Sequence, residues 1–220
     1  MDTSDARQNI LARIRRAHGR PASPTSDELQ AADDYVAKHA IAPQPTVGAD
    51  IVAHFEAQAQ RMSSTTERVG RLADVPAAVA RYLGAHGLET RAVCWETLAG
   101  LDWAGAGVTI EARAPRNEDA VGITGVFAAI AETGTLMLLS GPQTPASTHL
   151  LPETHVAVVS SSRIVRHYED GFARVREERG EPPRAMNLVS GPSRTGDIEQ
   201  TIVLGAHGPY RVHVVIVEGD

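Results

Sequence analysis

The first forty residues alternate short apolar clusters with arginines and acids at helical spacing. In residues 5–18, DARQNILARIRRAH, Ile10, Leu11 and Ile14 share one face and Arg7, Arg13, Arg15 and Arg16 occupy the others. That spacing predicts an amphipathic helix, closed by Gly19 and the Pro-containing linker RPASPTSDE. Further helices are expected around 26–40, 49–63 and 74–86; the last carries Pro76 near its start and Gly87 just past its end. From residue 90 the pattern shifts to short apolar runs between turns. Strands are expected at 91–95, 107–112, 133–140, 155–160, 185–190 and 211–217. Several of these runs are continuous rather than alternating, as in strands buried on both faces. A helix is expected across 161–180, with Ile164, Val165, Tyr168, Phe172 and Val175 on one face. Helices alternating with buried strands define an α/β fold with a mixed, largely parallel sheet. The division drawn from this pattern is a helical extension over 1–70 and an α/β domain over 71–220.

Composition narrows the function. The 220 residues carry a net charge of −6, which argues against general affinity for nucleic acid or anionic membranes. Lys38 is the single lysine among 21 basic residues, a bias read first as compositional. The single cysteine, Cys94, lies in the apolar run RAVCWETL and reads as a buried thiol. One cysteine cannot form an intrachain disulfide or ligate an iron–sulfur cluster. No apolar run has the length of a membrane span, and the N-terminus has no hydrophobic signal core. A cytoplasmic protein is expected.

Two segments concentrate groups able to do chemistry. The stretch 190–209, SGPSRTGDIEQTIVLGAHGP, follows an expected strand, and Asp197 and Gln200 have capping-box spacing for a helix starting near Gly196. Ser190, Ser193, Arg194 and Thr195 would then occupy a strand-to-helix turn, where hydroxyls, backbone N–H groups and a guanidinium can hold a carboxylate or phosphate. Alternatively, these are ordinary turn residues, and Arg194 bridges to Glu132 or another acid. In the second segment, 129–142, Glu132, Thr133, Gly134 and Thr135 interrupt an apolar run. Glu132 is a candidate general base or pocket anchor; Thr133 and Thr135 are candidate ligand hydroxyls. Gly134 marks a bulge or a close backbone approach to a ligand; the alternative is a polar hairpin tip. His207, between glycines in GAHGP, is the second catalytic candidate, with turn stabilisation as the alternative. The histidines have no metal-site spacing, and neither a phosphate-binding glycine loop nor a G-x-S-x-G elbow is present.

The stretch SGPSRTGDIEQTIVLGAHGP with the strand RVHVVIVE, together with GITGVFAAIAETGTLML and LLPETHVAVVSSSRI, resembles the LUD-domain lactate-utilisation family over about 72–218. Gly196 stands where that pattern has Ala. The resemblance implies a fold similar to the ribose-phosphate isomerase, glucosamine-phosphate deaminase and CoA-transferase group. It also implies a place in a three-component bacterial system that oxidises L-lactate to pyruvate. The two partner subunits would carry iron–sulfur clusters, and this chain no cofactor. The alternative is a stand-alone enzyme or binding protein for a small phosphorylated, CoA- or folate-type ligand.

Overall fold

The structure is a computed structural model that describes residues 3–21, 23–198 and 201–219. The chain divides into two compact units, Met1–Gln44 and Pro45–Asp220. The first contains α1 (Ser4–Ala17) and α2 (Ser26–Lys38), neither with a buried residue. Thr25 begins α2 with a reciprocal cap: its Oγ1 accepts from the Glu28 N–H, and its own N–H donates to Glu28.

The second unit opens with α3 (Ile51–Arg61), capped by Asp50, whose carboxylate accepts from the Ala53 N–H. Then follow β1 (Thr65–Arg71), α4 (Val75–Ala85), β2 (Arg91–Cys94), β3 (Thr109–Glu111), β4 (Val121–Gly125), β5 (Ala128–Ile130), β6 (Thr135–Leu139) and β7 (Thr154–Ser160). The chain closes with β8 (Ile164–Val165), α5 (Tyr168–Arg179), β9 (Met186–Val189), β10 (Arg194–Ile198), β11 (Thr201–Leu204) and β12 (Arg211–Gly219).

Six strands form a wholly parallel sheet in the order β1-β12-β7-β4-β2-β3. Its central strands are valine-rich because both faces are covered. On one face α4 buries Val75, Val79 and Leu83 against Ile123, Val156, Val158 and Val215. Cys94 lies in this core as expected, and burial pushes its thiol up to about 11. On the other face Val159, Val212, Val214 and Ile216 pack with Phe55 and Ala59 of α3 and with Leu136 and Leu138 of a second sheet. That second sheet, β8-β5-β6-β9, turns Ile130, Met137 and Leu139 outward under Val175 of α5. Alternation along β6 thus feeds two cores, which is why TLMLL reads as a continuous apolar run.

Several expectations change. The helix expected near Gly196 is instead the antiparallel β10–β11 hairpin, with Arg194 opposite Leu204 and Thr195 opposite Val203. Cross-strand pairing overrides the capping-box spacing; Gln200 itself lies outside the described residues. The helix expected across 161–180 begins only at Tyr168, because the β-branched pair Ile164–Val165 joins β5 as a strand. Within the expected 1–70 segment, β1, TTERVGR, reads as polar because it is an edge strand, yet it pairs with β12 from Thr65 to Arg71.

Candidate functional site

The candidates at 132–135 and 190 converge where β5, β6 and the start of α5 meet. The Glu132 side chain is about nine-tenths buried. Its carboxylate accepts from the Tyr168 N–H at 3.1 Å and hydrogen-bonds His167 Nδ1 at 2.9 Å. It thereby satisfies a free N–H of the first turn of α5. Thr135, fully buried, links hydroxyls: Thr133 Oγ1 at 2.7 Å, Tyr168 OH at 2.9 Å and Ser190 Oγ at 2.6 Å. These hydroxyls come from the β5–β6 turn, β6, α5 and the residue after β9, and by satisfying one another they hold each other in place. Gly134, at φ +67°, lies against α3 rather than against a ligand position: a Cβ there would lie 2.2 Å from the Ala59 nitrogen. Gly191 repeats the device at φ +77°, with a Cβ position 2.0 Å from the Met62 carbonyl oxygen.

Arg194 faces the same end of α3. Its Nη2 donates to the Met62 carbonyl oxygen at 3.2 Å and to the Ser63 hydroxyl, and among the described residues it pairs with no acid, Glu132 included. A guanidinium at a helix C-terminus answers unsatisfied carbonyls and the negative end of the dipole. Arg194→Ala is accordingly expected to cost about 1 kcal/mol, a charged hydrogen bond discounted for exposure. Thermal unfolding measures it, and an unchanged Tm would remove this role. Ser193 is tied by its backbone, its N–H donating to Pro209 O and its carbonyl accepting from the Gly205 N–H.

His207 lies elsewhere. It is exposed in the turn after β11 and lines a cleft of about 670 Å³ with Leu150, Leu151, Glu153, Tyr210 and Arg211. Glu153 and Arg211 stand at the starts of β7 and β12, so this cleft is at the N-terminal end of the parallel sheet. Glu132 and His207 therefore belong to separate places.

At the opposite end, beyond the carboxyl ends of β2 and β4, a second crevice of about 740 Å³ opens. Parallel α/β sheets place ligands at this end. Trp95 and Thr97 follow β2, Gly125, Val126 and Phe127 end or follow β4, Ser140 to Thr144 follow β6, and Arg163 and Arg179 close the far side. Both guanidinium carbons stand over the Phe127 ring, at 5.6 and 5.9 Å from its centroid. None of the candidate residues singled out from the sequence lines this crevice. Its walls come from segments separated along the chain, so no local pattern marked it.

Behind Trp95 lies a buried polar layer. The indole Nε1 donates to Pro145 O at 3.1 Å, and the ring meets His149 edge-on. His155 Nε2 hydrogen-bonds Thr124 Oγ1 at 2.8 Å, while both His149 ring nitrogens and His155 Nδ1 have no partner among the described residues. Burial pushes His149 down to about 4; burial first and then the neighbouring His149 push His155 down to about 3. Both imidazoles are held neutral.

A wholly parallel sheet backed by a second sheet, with a ligand-sized crevice at its carboxyl end, defines an α/β protein with room for a small molecule where such folds bind one. The LUD domain family matches residues 96–217, more than half of the chain, and the protein belongs to that family. Among curated proteins it is similar to Lactate utilization protein C of Bacillus licheniformis, 35% identical over 101 residues, 44% of this chain and 42% of that one. Lactate utilization protein C of Halalkalibacterium halodurans is 37% identical over 101 residues, 44% of each chain. An uncharacterized protein of Neisseria meningitidis is 35% identical over 99 residues, 45% of this chain and 42% of that one. The matched stretch spans less than half the length of these relatives. A crystal structure of a DUF162 family protein from Deinococcus radiodurans superposes with a TM-score of 0.58 at 27% identity, covering 79% of this chain and 99% of that one. Among the described residues, no helix is long and apolar enough to cross a membrane.

Proposed function

We propose that this protein is a component of a bacterial lactate-utilisation system, in which L-lactate is oxidised to pyruvate together with two iron–sulfur partner subunits. The observation that carries this reading is membership of the LUD-domain family joined to the likeness to proteins named Lactate utilization protein C. In this reading the chain is the subunit without a cluster: its single cysteine cannot supply the thiolates a cluster needs. Its own contribution is to bind a small anionic ligand in the cytoplasm. Gene deletion tests the reading. Loss of growth on L-lactate as carbon source is expected, with growth on pyruvate retained and lactate growth restored by the intact gene. Normal growth of the deletion strain on lactate would overturn it.

A second reading, a stand-alone enzyme or binding protein for a small phosphorylated, CoA- or folate-type ligand, is favoured by the size of the carboxyl-end crevice. It expects the deletion strain to grow normally on lactate.

A further inference from the structure

The carboxyl-end crevice has a chemistry of its own. Its walls carry flat and apolar groups: Trp95, Phe127, Pro142 and Pro183. Its charged groups fall into two sets. Arg163 Nη1 holds both oxygens of Glu178, at 2.6 and 2.8 Å, and Arg174 approaches the same carboxylate at 3.7 Å. Arg163 above all holds the Glu178 carboxyl below its usual range, so this acid is engaged within the protein. Arg179 is different. Among the described residues its guanidinium makes no hydrogen bond or ion pair; it rests over Phe127 and acts on Glu178 only at longer range. The remaining acid of the lining, Glu181, makes no ion pair with it.

Volume decides the size of what fits. At about 740 Å³ the crevice lies within the roughly 300–1,000 Å³ range of pockets for drug- and cofactor-sized molecules. A three-carbon acid would leave most of it to water. A flat molecule can instead cover Trp95 and Phe127, and an anionic group on its end can pair with Arg179 through the guanidinium fork.

We propose that this crevice is a binding site for a small molecule with a flat, apolar body and a single anionic group. Arg179 binds the anion, Trp95 and Phe127 hold the body, and the Arg163–Glu178 pair keeps the far wall in place. The site is separate from the 190–195 turn and from the cleft at His207, and it does not take L-lactate. The proposal goes beyond the lactate-utilisation reading: if the crevice stayed empty while deletion abolished growth on lactate, only the proposal would fail.

The probe is 2-naphthoate, a flat aromatic carboxylate, titrated into the full chain carrying Trp103→Phe. Trp95 is then the sole indole and its fluorescence reports the crevice. Calorimetric titration of the unsubstituted chain gives the same comparison without that change. Saturable quenching is expected. Arg179→Gln should weaken binding at least tenfold, and Glu181→Gln, by removing a like charge, should strengthen it about two- to threefold. Arg194→Gln should leave it unchanged. L-Lactate and inorganic phosphate should not compete at equal concentration, and neutral 2-naphthol should bind at least fivefold more weakly. Arg179 is exposed in the last turn of α5, so circular dichroism of Arg179→Gln should match the parent. Absence of binding, equal affinity in Arg179→Gln, loss of binding in Arg194→Gln, or equal competition by lactate or phosphate would each overturn the proposal.

Discussion

Replacing Gly134 with Ala is expected to destabilise the domain by about 3 kcal/mol or more. Two costs combine. The left-handed conformation at φ +67° costs a residue with a Cβ about 1–2 kcal/mol. Its methyl would also fall 2.2 Å from Ala59 N, 2.5 Å from Gln58 C and 2.7 Å from Ala59 Cα, all backbone atoms that cannot rotate away. Overpacking adds about 1–3 kcal/mol, taken up by moving the end of α3. Phe55 and Ala59 of that helix are fully buried between the two sheets, so the displacement reaches the core. Chemical denaturation checks the value, with Gly196→Ala as the control. A Cβ at Gly196 meets nothing within 4 Å, and that variant should stay within about 0.5 kcal/mol of the parent. Equal stabilities for the two variants would mean that α3 does not press on the β5–β6 turn.

Mild acid is expected to destabilise the protein strongly through its buried histidines, before its arginine-paired carboxylates titrate. Burial pushes His149 and His213 down to about 4 and His155 to about 3, so the folded state keeps all three rings neutral. His213 is stacked on Tyr82 and hydrogen-bonds Thr65 through Nδ1. In the unfolded chain each ring takes a proton near pH ~6.5. The unfolded state therefore binds more protons below that pH. Stability is complete above about 6.5 and falls toward 4, where the folded rings begin to titrate as well. Each histidine contributes up to about 1.4 kcal/mol per pH unit in that window, and three together about 4 per unit. The summed loss is about 6 kcal/mol by pH ~5 and about 9 by pH ~4, a large share of a domain stability of about 5–15 kcal/mol. The measurement is denaturant unfolding at about pH 7, 6 and 5. A flat profile would mean that the rings reach solvent in the folded state. The carboxyls of Glu111, Asp119 and Glu178 lie below their usual range through arginine partners and lose their contribution only at lower pH.

Local pattern marked Gly134 as a special position but not α3 as what it meets, and it gave the three histidines no such role, whereas much of the fold was legible. Helix periodicity and continuous valine runs predicted α1 to α4 and the strands β2, β7 and β12, because such patterns are local and have few alternative readings. The motif stretches also marked the family. Local pattern failed wherever a distant partner decided the conformation. The capping-box spacing of Asp197 and Gln200 could not foresee that Thr195 pairs with Val203, nor could helical periodicity foresee that Ile164 joins Ala129.

What the sequence by itself determined is the fold class, the buried thiol and the family, since each rests on residue types in a short window. What only the tertiary structure decided is where those residues point. Glu132, Thr133, Thr135 and Ser190 are drawn together by the packing of β5, β6, β9 and α5, and Gly134, Gly191 and Arg194 by the end of α3. The crevice is the clearest case: Trp95, Phe127, Arg163 and Arg179 are separated along the chain and meet only because parallel strands deliver their carboxyl ends to one side. Burial and proximity arise from contacts across the fold, and a one-dimensional pattern carries neither.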